Sequence, residues 1–421
     1  MTAANYRRIL KSFFIINIFA VAMLGSQLLL AQDYTLVIKG GHVIDAKNNI
    51  NEVMDVAIKD DKIVRVAKNI DARGAQVVDA KGLYVTPGLI DIHSHNFYGT
   101  AEDHYLSNGY VAVAPDPFTF RSGVTTVADA GGAGWKNFNQ FKDQTIDHSD
   151  TRVFSFLNIV GEGMRGGAWE QNIHDMDAKM TASVIKAHKA EIVGIKVAHY
   201  MGAEWEPVDR AVEAGNAANV PVMIDFGGNT PPLSIEDLFM KHLRPGDIFT
   251  HCFAQLESRE SIVDAQGKLK PFVVAAQKRG IIFDVGHGGG SFRFSQAIPA
   301  LKAGFIPNTI STDLHTGSMN AGMKDQLNIM SKFLNMGMTL QQVMAASTWH
   351  PAKAIKHEEL GNLSPGSVAD VAVFSLHKGK FGFIDSSGFR MDGDQKLETE
   401  LTLRAGKVVW DLNGISRPSW K

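Results

Sequence analysis

The 421-residue chain has a single cysteine, Cys252, so no disulfide can form within it. The usual reading of redox compartment from cysteine usage is therefore silent. Positive charge is not in excess either. The 42 Lys and Arg residues face 44 Asp and Glu, for a net charge of −2, which excludes the basic field that nucleic-acid binding needs. Repeats of fixed period and low-complexity tracts are absent from the sequence. What remains is an ordinary globular composition, 45% hydrophobic and 20% charged, with length for one large domain plus a smaller one.

Long apolar runs are scarce too, and the one that stands out lies at the N-terminus. Arg7, Arg8 and Lys11 precede a largely apolar stretch from Ser12 to Ala31, and Ala31-Gln32 offers a small residue for cleavage. This predicts a signal peptide over residues 1–31 of a bacterial export type, placing the mature protein in the periplasm or outside the cell. The alternative is an uncleaved anchor, but Asn17, Ser26 and Gln27 interrupt a run barely long enough to span. After cleavage no stable membrane association is expected.

From Tyr34 the pattern becomes strand-like. Tyr34–Lys39 leads through Gly40-Gly41 to His42–Asp45, and Met54–Lys59 leads through Asp60-Asp61 to Lys62–Val66. The texture returns at Ala369–Phe374, Leu401–Arg404 and Lys407–Trp410. Alternation broken by Gly and Asp argues antiparallel sheet. Residues 32–85 and 356–421 are thus expected to build one small β-sandwich domain from both ends of the chain. Between them, residues 86–355 alternate apolar runs with helical patterns. The runs are Gly88–His95, Gly123–Ala130, Arg152–Val160, Ile192–His199, Val220–Phe226, Asp247–Phe253, Gly280–His287 and Asn308–His315. Helical stretches such as Asp177–Lys189, Pro207–Ala218, Ile235–Leu243, Pro271–Lys278 and Gln296–Leu301 separate them, and Met323–Leu334 and Leu340–Ala346 follow. Eight runs with crossover helices is the count of a (β/α)8 TIM barrel, an α/β fold whose chemistry collects at the C-terminal ends of the strands.

Polar residues stand at those ends. His93 and His95 close the first run, two apart, so both imidazoles share one face of a strand and can hold one metal ion. Lys196 sits in the fourth run, His251 in the sixth and Asp313 in the eighth. Each has a plain structural alternative: hydrogen-bonded histidines, a lysine paired with a carboxylate, a helix-capping aspartate. The set on four strands of one barrel argues against coincidence.

The phrase Pro87-Gly-Leu-Ile-Asp-Ile-His-Ser-His95 resembles the first-strand signature of the amidohydrolase superfamily. Its two-metal branch has the same order of His-x-His, Lys, His and Asp on strands one, four, six and eight. Further phrases resemble the dihydroorotase-like and N-acyl amino acid deacetylase-like members. They are Gly194-Ile-Lys-Val, Leu243-Arg-Pro-Gly-Asp-Ile-Phe-Thr-His-Cys-Phe253, Phe283-Asp-Val-Gly-His-Gly288, Ile310-Ser-Thr-Asp-Leu-His315 and Gly361-Asn-Leu-Ser-Pro-Gly-Ser-Val-Ala-Asp370.

The resemblance implies two divalent ions, zinc by ligand type, that polarise a carbonyl and generate hydroxide from a shared water. It implies that Lys196 is carboxylated and bridges the ions, and that Asp313 ligates one and acts as general base, then acid. The expected activity is hydrolysis of a carbon–nitrogen bond in a small acyl or amide substrate, first of all N-acyl amino acid deacetylation. Cyclic amidase or acyl esterase action is the next choice, and a non-catalytic metal- or ligand-binding barrel is the alternative of another class.

One position departs from the family. Strand five is expected to end in a histidine, and the matching residue is Asp225. Asp225 is a shorter-armed ligand, or the second site is weak, or His199 fills the gap. His287 is expected to face the site from strand seven, either to contact substrate or in a purely structural role. His199 after strand four is a candidate to line the pocket. Arg165 in the Gly161–Gly167 loop is either a substrate-carboxylate ligand or a solvated loop arginine. Cys252 is expected to pack behind its strand without a nucleophilic role.

Overall fold

The computed structural model describes residues 34–99, 111–225, 233–257 and 259–420. The segment read as a signal peptide, and Phe226 at the end of the fifth run, lie outside the described residues.

The N-terminal flank contributes β1 (Leu36–Asp45), β2 (Ile50–Lys59), β3 (Lys62–Ala67), β4 (Gln76–Asp79) and β5 (Tyr84–Pro87). Barrel strands follow as β6 (Leu89–Ser94), β7 (Val124–Gly134), β8 (Arg152–Asn158), β9 (Ile192–Ala198), β10 (Val222–Asp225), β11 (Ile248–Phe249) and β12 (Ile282–Phe283). The C-terminal flank adds β13 (Val371–Ile384), β14 (Arg390–Arg404) and β15 (Lys407–Asp411). The flank strands form one mixed sheet in the order β15-β14-β13-β5-β1-β2-β3, with β4 paired to β1. The two ends of the chain meet where β5 runs antiparallel to β13, Val85 opposite Val373.

Two expectations for the flanks are corrected. Gly40-Gly41 does not turn the chain; β1 runs straight through it, and the register against β2 shifts between Ile38 and Gly41. A side chain at Gly41 would bring its Cβ to 2.4 Å from Val85 Cγ2, and Gly40 takes φ +70°, so the pair marks a bulge under close packing, not a hairpin. The C-terminal strands are also far longer than expected. β13 and β14 form a hairpin whose outer part leaves the sheet and lies on helix Gln326–Asn335, where Leu397 N donates to Ser331 Oγ at 3.0 Å.

The barrel strands are parallel in chain order from β6 to β12. β6, β7 and β9 are buried along their whole length, as parallel strands covered on both faces must be. The eighth run forms no regular strand. It is extended chain that closes the ring through single bridges, Asp284 with Thr309 on one side and Ser94 with Leu314 on the other. Helices begin where capping predicts: Asp177 accepts from Lys179 N and Met180 N ahead of Ala178–Ala187, and Thr339 with Gln342 forms a capping box ahead of Leu340–Ser347. The expected helix at Ile235–Leu243 is a short α-turn followed by a π-helical turn, Leu238–His242. Inside the barrel, Ile90, Ile92, Phe156, Val193, Met223 and Ile248 pack together and continue into Ala352, Ile355 and Leu360 beyond the N-terminal strand ends. That end is plugged by apolar side chains. Polar chemistry has room only at the opposite, C-terminal end.

Candidate metal centre

His93, His251 and Asp313 converge at that end, with one ligand atom from each all within 4.8 Å of one another. His93 sits at the end of β6, 1% exposed. Its Nδ1 lies 2.8 Å from Thr250 Oγ1, and the Thr250 hydroxyl donates onward to Asp284 Oδ2 at 2.7 Å. Because that hydroxyl proton is committed to Asp284, Nδ1 of His93 carries the ring proton and Nε2 is left with its lone pair toward the cluster. Asp284 is a hub: it also accepts from Ser311 Oγ at 2.7 Å and Thr309 Oγ1 at 2.6 Å. His251 is fixed by the same logic, its Nδ1 donating to Gly286 O at 2.5 Å so that Nε2 faces Asp225 Oδ2 at 3.2 Å. His95 Nε2 reaches Asp313 Oδ1 at 2.8 Å.

Lys196 is fully buried. Its Nζ meets His93 Nε2 at 3.1 Å and Met223 Sδ at 3.9 Å, and among the described residues the nearest carboxylate oxygen, Asp225 Oδ2, is 3.9 Å away. A buried ammonium normally holds several close acceptors. Burial pushes the Lys196 amine below its usual range, against the pull of Asp225 and Asp313. The amine is thus inclined to the neutral form, the form that carboxylation requires. Burial likewise lowers His93 to about 3, with Lys196 adding to it, so this imidazole is neutral as a ligand must be. Burial favours protonated Asp313, but the His95 hydrogen bond and the electrostatic pull of the surrounding imidazoles hold it below the usual carboxylate range.

The donor set fits divalent cations: imidazole nitrogens with free lone pairs, two carboxylates and a buried amine without an acceptor set. The close packing fits as well. Three of the residues, His199, His251 and Asp313, take positive φ of 52° to 55°, a region that non-glycine residues enter mainly in turns and at functional sites. A Cβ on Gly131 would lie 2.7 Å from Lys196 Cγ, and one on Gly286 would lie 2.8 Å from His251 Nδ1.

Asp225 is brought into the cluster. His199 stands at its edge with a half-exposed side chain, its Nδ1 on Glu170 Oε2 at 2.9 Å and its Nε2 3.7 Å from Asp225 Oδ2. Burial lowers this ring, but the Glu170 hydrogen bond and the Asp225 charge outweigh it and raise the pKa to about 9.

The expectation that His287 offers a hydrogen bond to substrate is corrected. Its Nδ1 donates to Gly288 O at 2.9 Å, its Nε2 accepts from Lys332 Nζ at 2.7 Å, and the ring stacks on Phe292 at 4.4 Å. No ring nitrogen is left for a ligand. Arg165 is engaged too, with Glu162 at 3.3 Å and the Trp169 ring 4.0 Å from its guanidinium. Cys252 is buried, and burial pushes its thiol well above the usual range, away from nucleophilic use. Thr250, Asp284, Glu170 and Arg259 were not singled out from the sequence. For Thr250 and Asp284 a signal existed, since each is a polar residue inside an otherwise apolar run.

Known proteins match this architecture. The amidohydrolase family profile matches residues 294–409. A deacetylase of Brucella anthropi is 33% identical over 338 residues, 78% of this chain and 81% of that protein. A deacetylase of Agrobacterium fabrum is 33% identical over 337 residues, 78% of this chain and 80% of that protein. The chain belongs to the amidohydrolase family. Like that family it is a hydrolase of carbon–nitrogen bonds in small amide substrates, a family that generally uses divalent metals. Among solved structures, an adenine deaminase aligns with a TM-score of 0.81 at 28% identity, covering 90% of this chain and all of that one. A dihydroorotase aligns at 0.78 and 28% identity, covering 89% and 99%.

Proposed function

We propose that this amidohydrolase is an N-acyl amino acid deacetylase acting with two zinc ions. The observation that carries the proposal is the convergence of His93, His251 and Asp313 beside the acceptor-poor, buried Lys196. The deacetylase names of the two relatives support the choice of substrate class. His93, His95, His251, Asp225, Asp313 and carboxylated Lys196 would hold the metal. Bound divalent ions supply Lewis acidity toward the acyl oxygen and a water.

The protein's own groups do the rest. Thr250 and Asp284 hold the His93 ring in the ligating tautomer, and Gly286 O does the same for His251. Asp313, kept ionised, takes a proton from the water that attacks the acyl carbon and delivers it to the departing amine nitrogen. Water and amide become carboxylic acid and amine, and the carboxylate returns to its starting state. His199, half-exposed at the edge of the cluster, would meet the polar end of the substrate. The apolar stretch before residue 32 supports export to the periplasm or medium, which the N-terminal mass of the mature protein tests.

Metal analysis of protein purified without chelator, with a hydrolysis panel of N-acetyl D- and L-amino acids, dihydroorotate and an aryl acetate, tests the proposal. It expects about two zinc per chain and turnover of the N-acetyl compounds above the others. Turnover confined to the cyclic amide or the ester, or none at any zinc loading, overturns it.

A further inference from the structure

Asp225 divides its two oxygens between two surroundings. Oδ2 faces the cluster, with His251 Nε2 at 3.2 Å, His199 Nε2 at 3.7 Å and Lys196 Nζ at 3.9 Å. Oδ1 faces Arg259, whose Nη1 lies 3.4 Å away. Arg259 follows strand six in the chain and is only 6% exposed. Its Nη2 donates to Thr250 O at 2.8 Å, and its guanidinium lies 4.9 Å from the centre of the Phe249 ring. The cation is thus clamped by the two residues that precede His251, and its free edge ends on the strand-five carboxylate.

A buried guanidinium and a buried carboxylate each need the other, because either alone is a desolvated, uncompensated charge. The geometry has two consequences. The carboxylate cannot turn freely, so one oxygen only is presented to the cluster. The charge of Asp225 is also balanced from behind, so strand five supplies an oxygen donor without adding net negative charge beside Asp313 and Lys196. A neutral imidazole would present the same charge.

We infer that Arg259 is a positioning residue that enables an aspartate to serve as the strand-five metal ligand, by fixing its outer oxygen and cancelling its charge. This rests on the reading of Asp225 as a ligand given above and goes beyond it. Asp225 and Arg259 form one exchangeable unit, replaceable together by the histidine expected from family resemblance and an apolar residue.

The test is zinc per chain at saturating metal, together with the melting temperature of the chelator-treated protein. Wild type is expected to hold about two zinc. Arg259→Met is expected to hold about one and to melt lower even without metal. Arg259→Lys keeps the charge but not the fork, and is expected to hold more zinc than Arg259→Met. Asp225→His alone leaves the guanidinium unpaired and is expected to melt lower, and Asp225→His with Arg259→Met is expected to recover both readouts. Full zinc content in Arg259→Met, no difference between Lys and Met at 259, or simple addition of the two single losses in the double variant overturns the inference. Should Arg259→Met fail to fold, the Lys variant and the double variant decide. A wild type that holds one zinc at saturation overturns the ligand reading of Asp225 and this inference with it. Two zinc with no hydrolysis of N-acyl amino acids overturns the substrate proposal alone.

Discussion

The two sides of the candidate metal centre are built differently. On the side of strands one, six, seven and eight, the ligands are fixed from behind by neutral hydroxyls and a shared carboxylate: Thr250, Thr309 and Ser311 all converge on Asp284. Asp91 adds a second staple, accepting from His93 N at 3.2 Å and Thr312 N at 3.0 Å, which ties strand one to the eighth run. On the side of strands four and five, the fixing is done by charges: Arg259 on Asp225 and Glu170 on His199, whose side chain is half in solvent. A hydroxyl network in a packed wall has one satisfactory arrangement. Of the two charge pairs, Arg259 with Asp225 is buried, whereas Glu170 with the half-exposed His199 stands at the cavity edge, where exchange of partners is tolerated. The first side is suited to chemistry that does not change, the second to differences in substrate and ligand.

Breaking the first side should cost most. Asp313→Asn removes the proposed proton carrier, and kcat should fall by roughly 10³ to 10⁴ with zinc content largely retained; loss of zinc in parallel would make Asp313 a ligand first and a base second. Asp284→Asn disturbs the hub and should weaken zinc binding by about 10- to 100-fold in a chelator competition. Thr250→Val removes one link of that network and leaves His93 Nδ1 unpartnered, so its loss should be about tenfold. Equal losses for Asp284 and Thr250 would mean that the hub acts only through His93. On the second side, Glu170→Gln frees His199 and should change KM by less than about tenfold with kcat steady; a large fall in kcat would show that the charged side takes part in the chemistry.

A pH effect sharpens the contrast further. Burial lowers Lys332, behind strand seven, to about 7. Its folded pKa lies below its unfolded value, so the unfolded chain binds the proton more readily between these values. This group therefore makes stability rise with pH from about 7 toward 10.5. The slope of melting temperature over that window should flatten in Lys332→Met.

Most of the first side was legible as residue types and little of it as a network. His93, His95, His251 and Asp313 stand at strand ends where few alternatives suit an imidazole or carboxylate in an apolar run. The role of Asp284 depends on hydroxyls from three positions, 250, 309 and 311, that only the closed barrel brings together. Arg259 was not legible, because a loop position gives no hint of which strand its side chain meets. The same limit applied to the fold. The barrel and β-rich flanks followed from periodicity, whereas the outer half of β13–β14 alternates exposed charged residues with few apolar ones. Its partner, helix Gln326–Asn335, is remote in sequence. His287 misled because a histidine between two glycines at a strand end looks available, and nothing in the sequence announces that Lys332 and Phe292 enclose it.

Gly131 has the widest practical consequence. The space its missing Cβ would fill is occupied by the stem of Lys196. Even an alanine there would press on the lysine two strands away. A protein engineer randomising the mouth of this barrel for new substrates should expect position 131 to return glycine alone, and should put the diversity around residues 162–171 and 199–205.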